Sequence, residues 1–268
     1  MTLEDLSPKS TATAKAAGRK FAMLTAYDFP MARLLHEAGV DWLLVGDSLG
    51  MVVLGYPDTT HVSLADMAHH TAAVARGAGN SPVIADLPYH SYESPQQAIQ
   101  SARVLLEAGA HAVKLEGGSQ RIPQINALRS ASIPVMGHLG MLPQSIREEG
   151  AYRIKGRSEL EAERLLSDAH SLQAAGVFAV VLELVTPPVA TKLTESLSIP
   201  TIGIGSGPNC DGQVLVTHDL TGAFPWFHPK FVTPLAATGE QVRDAARAFV
   251  SEVRAHGSFQ TPPPSSAP

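Results

Sequence analysis

The stretch EAGAHAVKLEGG, residues 107–118, closes a helix-like segment with a glycine and then runs into a short apolar strand. In extended backbone, residues two apart share a face. Val113 and Leu115 therefore take one face, and Lys114 and Glu116 the other. The same phrase occurs twice more, as EAGVDWLLVGD over 37–47 and AAGVFAVVLE over 174–183. Each has a glycine suited to a left-handed helix cap, then a strand ending in an acid: Asp47, Glu116 and Glu183. Alternating with them are strands entered through proline: SPVIAD, SIPVMGH and SIPTIGIG. The first two reach Asp86 and His138, four residues after Pro82 and Pro134.

With FAMLTA before them and KFVTPL after, these make eight strand-like runs. Helix-length segments such as PMARLLHEAG, PQQAIQSARVLLEAG and SELEAERLLSDAHSLQAAG lie between most of them. Strands alternating with helices argue for a parallel sheet, and eight units in about 250 residues suit an α/β fold of the (β/α)8 TIM barrel type. A doubly wound sheet would more often show a glycine-rich turn after its first strand, where this chain has TAYDFP. The expected organisation is a polar lead-in over 1–20, a single barrel catalytic domain over 21–257, and a loose Pro/Ser-rich tail over 258–268.

The 268 residues are 44% hydrophobic and 17% charged, enough apolar mass for a substantial core. A net charge of −5 without a basic block argues against nucleic acid as a partner. The apolar runs are strand-sized, so no membrane span is expected. The N-terminal residues lack the apolar core of a signal peptide. A single cysteine, Cys210, fits a reducing compartment, and the expected location is cytoplasmic.

In a parallel barrel the C-terminal strand ends surround one mouth, where substrates bind. Taken singly, Asp47 or Asp86 could cap the next helix, Lys114 could be an ion-pair partner, and His138 a hydrogen-bonded structural residue. Taken together, four carboxylates around one mouth repel one another. A bound divalent cation relieves that repulsion, and oxygen ligands favour Mg2+ or another hard metal. Lys114 suits an anionic substrate, and a carboxylate left outside the metal shell could serve as general base. GHLGMLPQS and the residues after it form a long connection, open between a lid and a surface excursion; residues 50–61 are expected to form a small hairpin.

The stretches MLTAYD, LLVGDSLGMVVLG, DMAHHTAAVARG, ADLPY, AVKLEGG, GHLGMLPQS, YRIKGR, VLELV and IGIGSGPNCDGQVLVTHD resemble, in order, the ketopantoate hydroxymethyltransferase family. The resemblance implies a Mg2+-dependent barrel enzyme. It would transfer a one-carbon unit from 5,10-methylenetetrahydrofolate to 3-methyl-2-oxobutanoate, forming 2-dehydropantoate on the route to pantothenate. It implies metal carboxylates at Asp47, Asp86 and Glu116, substrate contacts at Asp47, Ser48, Asp86 and Lys114, and a catalytic base at Glu183. It also implies a homo-oligomer, a decamer. His61 departs from the apolar residue expected there. Two alternatives stand beside this reading. One is a lyase of the isocitrate lyase type, which would need a cysteine context that Cys210 lacks. The other is a non-catalytic barrel, in which Glu183 would be dispensable.

Overall fold

The computed structural model describes residues 6–257; the first five residues of the lead-in and the whole 258–268 tail lie outside the described residues. Eight parallel strands close into a barrel in chain order, β1 Phe21–Thr25, β2 Trp42–Val45, β3 Val83–Asp86, β4 Ala112–Glu116, β5 Val135–Gly140, β6 Ala179–Glu183, β7 Thr201–Ile204 and β8 Gly212–Leu215. β8 returns to pair with β1, with Phe21 opposite Gly212. The TIM barrel expected from the alternating pattern is the fold observed.

Two apolar layers follow from the period-2 alternation. Phe21, Trp42, Ile84, Ala112, Met136 and Val181 fill the barrel interior, with the Phe21 and Trp42 rings stacked at 4.6 Å. Val113, Leu115, Val180 and Leu182 face outward and pack with the helices. These are α2 Phe29–Glu37, α4 Leu64–Gly77, α5 Pro95–Glu107, α6 Ile122–Ser130, α8 Glu159–Ala175 and α9 Pro187–Ser196. Side-chain caps start several of them: Ser94 accepts from Gln97 N, and Ser158 from Glu161 N. The repeated glycines have the left-handed backbone their spacing called for, with φ of 81° at Gly39, 106° at Gly109 and 89° at Gly176.

The polar lead-in contains α1, Pro8–Ala16, with Ser7 as its cap. Leu6 is buried within the barrel-interior cluster. The Thr11 hydroxyl donates to Phe178 O at 2.6 Å, and Lys15 pairs with Asp211 at 3.0 Å. The segment thus joins the barrel core despite its composition.

The eighth strand is not KFVTPL. It is GQVL, residues 212–215, set between β7 and β1. Gly212 is needed there because a Cβ would lie 2.4 Å from Phe21 O. KFVTPL is turn and coil, with Phe231 and Leu235 exposed. The GMVVLGYPDTTH stretch also departs from expectation. In place of a hairpin it holds α3, Leu49–Val52, and a 3₁₀ turn over Thr59–His61 capped by Asp58. After β5 a 3₁₀ turn over Pro143–Ser145 leads into α7, Ile146–Glu149.

Thr217 begins a second compact unit. It contains α10, Thr217–Thr221, and α11, Thr238–His256. The Thr238 hydroxyl ties them together by donating to Thr221 O at 2.5 Å.

Candidate active site

β4 places Lys114 and Glu116 on the inward face, above Ala112 in the barrel interior. β2 and β3 bring Asp47 and Asp86 beside them, and Asp47 N donates to Asp86 Oδ2 at 3.1 Å. Lys114 Nζ pairs with Asp86 Oδ1 at 3.0 Å and lies 3.1 Å from His138 Nδ1. His138, on β5, sits between two acids: Nδ1 is 3.5 Å from Glu116 Oε1, and Nε2 is 3.4 Å from Glu183 Oε2 on β6. The four strand-end acids and the imidazole expected from spacing therefore do meet at one mouth. Ser48, just after Asp47, shares a 2.8 Å hydrogen bond with the Tyr27 hydroxyl.

Burial sets the electrostatics. It pushes Asp47 well above the usual carboxylate range, and the Asp86 and Glu116 carboxylates push the same way against Lys114 and Gln144. Asp86 is also raised by burial, with Lys114 opposing. Burial would lower Lys114, but the three carboxylates outweigh it and hold the ammonium charged. With Asp47, Asp86 and Glu116 all ionised, one ammonium leaves two negative charges unmatched.

Gln144 was missed by sequence reasoning. It belongs to the 3₁₀ turn after β5 and is 4% exposed. Its side-chain nitrogen donates to Asp47 Oδ2 at 2.7 Å and Leu87 O at 2.9 Å; its oxygen accepts from the Tyr92 hydroxyl at 2.5 Å. Its backbone N–H donates to Glu116 Oε2 at 3.0 Å. Tyr92, equally buried, has the Arg121 guanidinium 4.7 Å above its ring. An uncharged polar residue in an irregular loop leaves no period to read, whereas its PQS context was visible. The connection carrying it is thus partly a buried wall. Its outer face meets the 50–61 segment, where Arg147 lies 3.1 Å from His61 Nε2 and His61 Nδ1 lies 3.1 Å from Asp58.

Glu183 stands apart from the other acids. Its side chain is 16% exposed, against 3–5% for Asp86, Lys114, Glu116 and His138. The chain around it is tightly held. Glu183 O accepts from Met141 N at 2.8 Å. Leu184, the next residue, has φ of 49°, an uncommon left-handed conformation for a branched side chain. Ser206, in the IGIGSG loop, donates to Leu182 O at 2.7 Å and accepts from Val185 N at 2.9 Å. That loop buttresses β6.

Among the described residues, no three side chains of His, Cys, Asp or Glu converge closely enough to hold an ion unaided. Asp47, Asp86 and Glu116 do offer hard oxygens and surplus charge. That suits a cation which takes part of its shell from these carboxylates and completes it with water and substrate.

The sequence model described as ketopantoate hydroxymethyltransferase matches residues 6–261. A 3-methyl-2-oxobutanoate hydroxymethyltransferase of Acetivibrio thermocellus is 53% identical over 249 residues, 92% of this chain and 88% of the relative. One from Syntrophus aciditrophicus is 50% identical over 247 residues, 91% of this chain and 90% of the relative. Among solved structures, phosphonopyruvate hydrolase complexed with oxalate and Mg++ superposes with a TM-score of 0.64 at 14% identity, covering 97% of this chain and 89% of that one. 2,3-Dimethylmalate lyase, of the PEP mutase/isocitrate lyase superfamily, gives 0.62 at 17%, covering 100% and 92%. These two likenesses concern the fold alone. The match across the barrel and beyond it, with relatives near half identity, means that the chain belongs to the ketopantoate hydroxymethyltransferase family.

Proposed function

We propose that the mouth binds 3-methyl-2-oxobutanoate against a Mg2+ ion held by Asp47, Asp86 and Glu116, and that Glu183 removes the proton from C3. The enzyme is a hydroxymethyltransferase that forms 2-dehydropantoate in pantothenate biosynthesis. We read its one-carbon donor as 5,10-methylenetetrahydrofolate. The observation that carries the assignment of roles is the difference in exposure: three acids are sealed around Lys114, while Glu183 alone reaches solvent.

When bound, the cation supplies Lewis-acid stabilisation for negative charge developing on the substrate. Lys114, fixed by its pair with Asp86, holds the substrate carboxylate or the developing oxyanion. Asp47, Ser48 and Asp86 complete the contacts to the keto acid. Glu183 takes the C3 proton, and His138 orients its carboxylate. The C3 electron pair then bonds to the folate-borne methylene carbon as its bond to one folate nitrogen breaks. Water forms the C–O bond as the bond to the second nitrogen breaks, and tetrahydrofolate leaves carrying the two protons released from C3 and from water.

The single cysteine and a metabolic keto-acid substrate support a cytoplasmic location. Among the described residues no helix is long and apolar enough to cross a membrane. The family likeness supports a homodecamer, and the family match across both compact units supports one catalytic domain over 21–257. The test is formation of 2-dehydropantoate from the keto acid and 5,10-methylenetetrahydrofolate. Product should appear with Mg2+ and disappear with EDTA. Turnover undiminished by EDTA would contradict the metal; no product under any condition would contradict the donor.

A further inference from the structure

We propose that Gln144 sets the cation selectivity of the mouth, by orienting one oxygen on each of two carboxylates toward its own N–H groups, so that each presents its other oxygen to a metal. The inference rests on the reading of Asp47, Asp86 and Glu116 as a cation site.

The orientation of the Gln144 amide follows from its neighbours. Its nitrogen faces two acceptors, Asp47 Oδ2 and Leu87 O, and its oxygen faces the Tyr92 hydroxyl. A flipped amide would set its oxygen against a carboxylate and a carbonyl. Both amide hydrogens are therefore in use, and Tyr92 fixes which way they point. Tyr92 in turn lies 3.4 Å from Glu116 N, and Gln144 N holds Glu116 Oε2. The ring Asp47–Gln144–Tyr92–Glu116 thus links the ends of β2 and β4, and all four residues are buried.

A carboxylate binds a metal through both oxygens only if both can turn toward it. Each oxygen keeps a second lone pair when it accepts one hydrogen bond. But Asp47 Oδ2 and Glu116 Oε2 are oriented by Gln144 N–H groups, and a bidentate geometry at either would turn that oxygen away from its buried donor. Leaving such donors unpaired is costly. Ca2+ takes about 6–8 oxygens at roughly 2.3–2.6 Å, commonly including bidentate carboxylates; Mg2+ takes an octahedron at about 2.0–2.1 Å and keeps several waters. One oxygen per carboxylate suits the second ion. Gln144 is a positioning residue: it acts on the cation through Asp47 and Glu116.

The experiment is calorimetric titration of the full-length protein with MgCl2 and with CaCl2, without keto acid or folate, for wild type, Gln144→Met and Tyr92→Phe. Met keeps the bulk of Gln144 and removes its donors. We expect the ratio of the Ca2+ and Mg2+ dissociation constants to move toward Ca2+ by about tenfold in Gln144→Met, the scale of a lost outer-shell contact. Tyr92→Phe should move it the same way by less. A merely structural role would weaken both ions together and leave the ratio unchanged, and that result in a folded variant would overturn the proposal. Should Gln144→Met fail to fold, Tyr92→Phe decides by the same criterion. A wild type that binds neither ion would instead remove the cation reading, and the selectivity with it.

Discussion

The mouth of this barrel has two dissimilar sides. Across β2, β3 and β4, Asp47, Asp86, Lys114 and Glu116 are sealed and roofed by Gln144 and Tyr92. On β6, Glu183 is partly wet, held through the backbone of its own strand and touched by one histidine. The charges proposed to grip the ligand are kept dry, where hydrogen bonds and ion pairs are strong. The carboxylate proposed to take up and release a proton, Glu183, keeps access to water. The barrel puts these conditions a few strands apart by giving one side a loop wall and the other a short turn.

The largest expected effect comes from breaking the sealed side at Lys114, which pairs with Asp86. Lys114→Met leaves buried carboxylates uncompensated and should cost about 3–5 kcal/mol of stability in urea unfolding. An effect below 1 kcal/mol on the same scale would mean that water already screens the cluster. The open side is broken through its backbone. Gly140 has φ of 98°, and a Cβ there would meet Glu183 O at 2.1 Å. Gly140→Ala should therefore displace Glu183 and lower kcat by roughly 10²-fold, since misplacement of a reacting group by about 1 Å has that scale. Mg2+ affinity, read by titration, should stay near wild type.

A third effect separates the sides by pH. Asp47 and Asp86 have raised affinities for protons in the folded state, so ionising them costs stability. In EDTA, stability should fall as pH rises from the ordinary carboxylate range through these raised values. Mg2+ should restore it at neutral pH, by about 2.7 kcal/mol at a hundredfold excess over Kd, and should do nothing once the carboxylates are protonated. Equal stabilisation in acid would place the ion elsewhere. The smallest effect is at the rim. Arg147→Ala removes exposed contacts to His61 and Asp58 and should change stability by less than about 1 kcal/mol.

The two sides were not equally legible in the sequence. The acids were readable because each ends a strand seven or eight residues after a capping glycine or four after a proline, and the barrel converts that spacing into a common mouth. Lys114 and Glu116 could be paired by strand alternation alone. Gln144 and Tyr92 lie in loops, where side-chain direction follows from tertiary packing rather than from a period. β8 was hidden for a related reason. Its sequence, GQVL, is short and weakened by glycine, and its place between β7 and β1 comes from barrel closure. KFVTPL has the better strand composition but pairs with no strand among the described residues. Leu6 and Thr11 show the converse: a polar stretch reaches the core with two residues, too few to alter its average.

The most direct test of this division is deuterium exchange at C3 of 3-methyl-2-oxobutanoate, followed by NMR with Mg2+ and without folate, in wild type and Glu183→Gln. Exchange isolates proton removal from one-carbon transfer. The account predicts Mg2+-dependent exchange in wild type and its loss by about 10²-fold or more in the variant, whose Mg2+ affinity is unchanged. Exchange at the wild-type rate in Glu183→Gln would contradict it, and would move the base to the sealed side of the mouth.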